Sequence, residues 1–130
     1  MQWINKGVVN KKMTEKIYNI GVEATMDVIG GKWKPIILCN LRDTPLRPSD
    51  LQRKIPGISQ KMLTQQLREL EQANIVHRKS YHQVPPKVEY SLSAYGQTLS
   101  TVLDSLCEWG KLHVDTLQKQ GHPIILLESE

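Results

Sequence analysis

Between Ser59 and Gln72 the chain collects the side chains that bond phosphates and base edges. Read as a helix starting at Ser59, the segment puts Leu63, Leu67 and Leu70 on one stripe. Lys61, Thr64, Gln65, Arg68 and Gln72 then fall on the opposite face, with Gln60 beside them. Lys and Arg pair with phosphate or with guanine, and Gln can bond an adenine edge bidentately in a DNA major groove. A polar helix face is by default a solvated face, so the meaning of this one rests on its neighbours.

Those neighbours are specific. Arg47 to Lys54 reads as a short helix with Pro48 in its first turn and Leu51 and Ile55 as apolar anchors. Pro56-Gly57 breaks the chain, and Ser59 is a good N-cap for the helix that follows. Two helices joined by so short a turn form a helix-turn-helix, whose second helix enters the groove. Asn74 suits a left-handed cap at the end of that helix.

Two strand-like runs come next, Ile75 to Tyr81 and Lys87 to Leu92, the second alternating with Val88, Tyr90 and Leu92 on one side. Between them His82-Gln-Val-Pro-Pro86 is a stiff loop, since its prolines prevent regular pairing. A helix-turn-helix followed by a hairpin is a winged helix. Arg78, Lys79, His82, Gln83 and Lys87 lie on or beside the wing, placed to meet phosphates or a minor groove. The expected DNA-binding set is Ser59, Gln60, Lys61, Thr64, Gln65 and Arg68 from the second helix, Arg47 and Ser49 from the first, and Lys79, His82, Gln83 and Lys87 from the wing.

The blocks VEATMDVIGGKWKPIIL, PGISQKMLTQQLRELE and VPPKVEYSLSAYGQTL, with the later Trp109-Gly110, resemble the signature of HxlR-type winged helix-turn-helix regulators, relatives of the MarR group. The resemblance covers roughly residues 18 to 115 and is colinear. It implies a homodimeric bacterial transcription factor acting on near-palindromic promoter DNA, and many such proteins sense oxidants or electrophiles. Sensor members of the family carry Cys-Pro just before the Val-Glu that opens the first helix. Here those positions read Ile20-Gly21, ahead of Val22-Glu23, so the usual sensing thiol is missing.

The expected fold class is α+β, mainly α: a winged helix-turn-helix with a long C-terminal dimerisation helix. Residues 1–16 read as an N-terminal arm in which Trp3 and Ile4 are the only sizeable apolar group before Val8 and Val9, residues 17–120 as the domain, and residues 121–130 as a tail. Val22, Met26 and Ile29 are expected to face inward, as are Trp33, Ile36, Ile37 and Leu41 after the Gly30-Gly31 interruption. Leu46 suits a short third strand. Ser93 is the expected N-cap of a final helix of about 23 residues, roughly 35 Å long, which so small a domain does not bury alone. Leu99, Val102, Leu103, Leu106, Trp109, His113 and Leu117 are therefore assigned to a two-fold dimer interface, with two recognition helices about one DNA turn, roughly 34 Å, apart.

Composition is consistent with this reading. At 130 residues the chain makes one domain, and a net charge of +4 suits a polyanionic partner without establishing one. Two cysteines give no disulfide framework and no metal-ligand spacing, so neither a metal nor a cofactor is expected. There is no apolar run of membrane-spanning length and no signal-peptide pattern, so the expected location is the cytoplasm, away from any membrane. His77, His82, His113 and His122 share no motif spacing, and the chain carries no nucleophile elbow or phosphate-binding glycine loop. It does not read as an enzyme. Glu69 and Glu71 read as surface charge.

Three further readings stay open. Trp33, Tyr95 and Trp109 suit either ordinary core or a crevice for a small-molecule effector. Cys39 and Cys107 read as small apolar residues or as a thiol-based sensor; neither has an adjacent cation in sequence, Glu108 follows Cys107, and Lys111 lies one turn away. A winged helix that binds protein instead of DNA is the third, marked by an absence of salt-dependent DNA affinity.

Overall fold

In the computed structural model, which describes residues 15–128, the element order is α1 (Gly21–Ile29), α2 (Trp33–Asn40), α3 (Pro48–Lys54), α4 (Gln60–Gln72), β1 (Val76–Tyr81), β2 (Lys87–Leu92), α5 (Ala94–Gln97) and α6 (Ser100–Lys119). This is a mainly helical winged helix-turn-helix with a two-stranded antiparallel sheet. The arm residues Trp3, Ile4, Val8 and Val9 lie outside the described range.

Helix α4 forms where the leucine spacing requires it. Leu63, Leu67 and Leu70 are buried against Ile37, Leu38, Leu51 and Ile55 in one core that also takes in Ile75, Val76, Leu92 and Leu103. The Ser59 hydroxyl accepts from the Met62 N–H at 3.0 Å and so satisfies one orphan donor of the first turn. At the other end Asn74 stands at φ 62°, the left-handed conformation, and the Ile75 N–H returns to the Leu70 carbonyl at 2.9 Å. Pro48 opens α3, and the Asp50 carboxylate accepts from the Arg47 backbone N–H at 3.1 Å, the reciprocal arm of a capping box.

The wing register pairs Val76 with Leu92, Arg78 with Tyr90, Lys79 with Glu89 and Tyr81 with Lys87. Leu46 joins the hairpin through a bridge to Tyr90, the third strand in its shortest form.

Two expectations about apolar faces need correction. On α1 only Ile29 is buried; Val22 and Met26 are 55% and 48% exposed, because the helix lies on the surface and meets the core through its C-terminal end. On α2, Ile37 and Leu38 are buried while Ile36 is exposed and Trp33 is half-buried.

The C-terminal helix also differs from expectation. Ser93 does cap a helix, its hydroxyl accepting from the Gly96 N–H at 2.9 Å, but that helix is the single turn α5. The N–H groups of Thr98 and Leu99 bond back three residues, to the Tyr95 and Gly96 carbonyls, each at 3.0 Å. The Thr98 hydroxyl takes the Tyr95 carbonyl as well, at 2.6 Å. This tight turn ends α5 and lets α6 start afresh at Ser100. Leu103 then points into the chain's own core and is fully buried, so it is a core residue here and offers no surface to a partner. Leu99 packs against the same core, and Leu117 is half-buried. Val102, Leu106, Trp109 and Leu112 are exposed, and Trp109 stacks on His113 with ring centroids 5.0 Å apart.

Candidate nucleic-acid interface

The outward face of α4 is polar and open to solvent. Gln60, Lys61, Thr64, Gln65, Arg68, Glu69 and Gln72 line one surface depression. Of the expected readers, Gln60, Lys61, Thr64, Gln65 and Arg68 are all exposed there, on the side opposite the buried leucines. Ser59 is exposed at the start of the helix, with its hydroxyl engaged in the cap. Arg47 and Ser49 are exposed at the start of α3.

Glu69 is more than surface charge. Lys34 of α2 is largely buried, and its ammonium meets the Glu69 carboxylate at 2.5 Å. The other carboxylate oxygen accepts from the Gln65 side-chain amide at 3.3 Å. The Lys34 hydrogen bond first, then that from Gln65, lowers the Glu69 pKa below the ordinary glutamate value. The carboxylate within the cationic depression is thus neutralised from beneath, and Gln65 is held in one orientation by the i, i+4 bond. The Gln65 and Glu69 spacing was visible in the sequence; the Lys34 partner, 35 residues away, was not.

On the wing, Lys79, His82 and Gln83 are exposed. Lys87 is not free in the same way. It is half-buried, pairs with Glu89 at 3.4 Å, and lies 4.7 Å from the centre of the Tyr81 ring. The Tyr81 hydroxyl donates to Glu89 at 2.9 Å, and with Lys87 it lowers the Glu89 pKa. Lys79 stands over the Tyr81 ring at 4.9 Å. Tyr81 and Glu89 therefore organise the base of the wing, with Lys79 as its exposed cation and Lys87 as part of its framework. Arg78 donates to Ser80 at 3.0 Å along the same strand.

The arrangement is a capped helix with a cationic, amide-rich outer face, braced by a short preceding helix and flanked by a wing. It offers donors in the geometry that DNA grooves accept. Among the described residues no cluster of His, Cys, Asp or Glu is placed to hold a metal ion, and no helix is long and apolar enough to cross a membrane.

The family model described as HxlR-like helix-turn-helix matches residues 28–118. The chain belongs to the HxlR-like helix-turn-helix family. Among HxlR-like relatives, the HTH-type transcriptional regulator YtcD of Bacillus subtilis (strain 168) is 58% identical over 103 residues, covering 79% of this chain and 82% of its own length. The oxidised form of the redox regulator HypR superposes with a TM-score of 0.69 at 53% identity, covering 71% of this chain and 95% of that one. A MarR-family transcriptional regulator from Porphyromonas gingivalis W83 does so with a TM-score of 0.70 at 33% identity, covering 75% and 96%. This HxlR-like chain is accordingly a DNA-binding transcriptional regulator built on a winged helix-turn-helix.

Proposed function

We propose that the protein acts as a homodimeric repressor, reading a near-palindromic operator with α4 and answering to a small molecule or a chemical stress. The outward face of α4 carries this reading: Gln60, Lys61, Thr64, Gln65 and Arg68 lie together there, and the carboxylate among them, Glu69, is paired with Lys34. On it, Gln60 and Gln65 read base edges, while Lys61 and Arg68 grip guanine or phosphate. Arg47 and Ser49 contact backbone from α3, and Lys79, His82 and Gln83 reach the flanking groove from the wing.

Support for a dimer comes from α6. Val102, Leu106, Trp109 and Leu112 leave apolar surface exposed along a helix of 20 residues, and α1 adds Val22 and Met26. A second copy covers such a face more readily than water does. Leu99, His113 and Leu117 take part at its edges, and Leu103 supports it from within.

Binding of the full chain to fragments of its own upstream region across a salt series tests the reading. Specific binding whose log affinity falls linearly with log salt is expected. Failure to enrich any duplex from a random-sequence pool would favour a protein-binding winged helix.

A further inference from the structure

Two thiols that are 68 residues apart in sequence meet in the fold. The Sγ atoms of Cys39, on α2, and Cys107, on α6, are 3.9 Å apart, and both side chains are partly accessible. One helical turn away on each side, Arg42 and Asp104 form an ion pair between the same two segments. Cys39 and Arg42 are three residues apart, as are Asp104 and Cys107, and the pairing runs in opposite directions along the two segments. Two rungs therefore hold one crossing. The core leucines Leu38 and Leu103, each next to one of these groups on its own helix, fix the crossing from the inside.

We propose that Cys39 and Cys107 form an oxidant-sensitive site that closes into an intrachain disulfide and locks the crossing of α2 and α6. The oxidant class is a hydroperoxide. The Cys107 thiolate attacks the peroxide, the O–O bond breaks, and sulfur gives up two electrons to become a sulfenic acid while the other oxygen leaves as alkoxide and takes up a proton. The Cys39 thiol then attacks that sulfur; the S–S bond forms, the S–O bond breaks, and the hydroxyl leaves with the Cys39 proton as water.

The resolving role of Cys39 follows from its burial. Burial, followed by the neighbouring Cys107 sulfur, pushes the Cys39 thiol up to about 11; Arg42 opposes the rise and Glu128 of the tail adds to it. Cys39 is thus suited to resolve and not to attack first. Closing the gap from 3.9 Å to the roughly 2 Å of a disulfide draws the two helices together at this rung. Helix α2 also holds Glu69 of α4 through Lys34. A locked crossing consequently bears on the face proposed to read DNA, and this last link rests on that proposal.

The first test treats the full reduced chain with hydrogen peroxide, alkylates free thiols, and maps the peptides without reduction. The expected product is a Cys39–Cys107 linked peptide within one chain, abolished by Cys39→Ser and separately by Cys107→Ser. Two alkylatable thiols after oxidation, or a linkage between two chains, would overturn the site. The second test compares the DNA affinity of the reduced and the mapped oxidised protein, with Cys107→Ser under peroxide as the control. A change of about fivefold or more is expected for the wild type only. An oxidised, mapped protein with unchanged affinity would overturn the link to α4. Absence of DNA binding in the reduced protein would count against the DNA-binding reading, and the peptide map would still decide the thiol site.

Discussion

Lys34 and Glu69 are ion-paired at 2.5 Å across the interface of α2 and α4, so that a largely buried ammonium sits directly behind the outward face of α4. Lys34→Ala should leave an uncompensated carboxylate among Lys61, Gln65 and Arg68 and weaken DNA binding. Lys34→Ala/Glu69→Gln should recover much of the loss. Fluorescence anisotropy on the four proteins of this cycle measures the coupling, and purely additive effects would refute it.

The same pair sets a pH dependence. Lys34 and Gln65 lower the Glu69 pKa below its usual 4.5, so the unfolded chain binds this proton at a higher pH than the folded one. The stabilisation is fully present above pH 4.5 and is lost as the pH falls through the lowered folded value. Urea midpoints of the wild type should therefore drop more steeply on acidification below 4.5 than those of Glu69→Gln. Parallel profiles would show that the pair contributes nothing.

Among cations, the structure separates exposed side chains from those built into the framework. Lys61→Ala and Arg68→Ala should each weaken binding and lower the salt slope by about one if only phosphate is touched. Lys79→Ala should cost more affinity than Lys87→Ala, because Lys87 is already paired with Glu89 and partly buried while Lys79 is exposed. The reverse order in a salt titration would mean that the wing rearranges on DNA.

Leu103 and Trp109 share one helix but should fail in different ways. Leu103→Ala removes a fully buried side chain and should cost about 2–5 kcal/mol of stability in urea unfolding. Trp109→Ala removes a side chain that is 63% exposed, and should spare the fold while shifting sedimentation toward monomer. Equal loss of stability with no change in association would argue against the α6 interface.

Gly96 is packed against backbone. A methyl group built there would stand 2.1 Å from the Ile75 carbonyl oxygen, which the Ser93 hydroxyl also engages at 3.1 Å. Gly96→Ala should push α5 away from the segment that leads into β1 and cost at least about 1–3 kcal/mol. An unchanged urea midpoint would mean that α5 can move freely.

What the sequence revealed was mostly local. The leucine spacing of α4, its Ser59 cap, the left-handed Asn74 and the alternation of Val88, Tyr90 and Leu92 are each encoded within a few residues, and each has its counterpart in the fold. The Lys34–Glu69 and Cys39–Cys107 pairings depend on how α2 lies against α4 and α6, which no short window contains. The end of α5 was hidden for another reason: a turn of three-residue hydrogen bonds at Thr98 and Leu99 leaves the apolar spacing looking continuous. Periodicity likewise marked Val22, Met26 and Leu103 as apolar without telling a chain's own core from an exposed surface. Of the three, only Leu103 faces inward.

On the proposed dimer, the row Val102, Leu106, Trp109 and Leu112 has a consequence for gene dosage. A regulator whose DNA-reading unit is assembled from two chains obeys the law of mass action twice, once in pairing and once at the operator. While most chains are unpaired and most operator sites are empty, occupancy rises with the square of chain concentration, so halving expression leaves about a quarter of the occupied sites. On the proposed dimer, the exposed row thus makes the cell's copy number an input to the circuit.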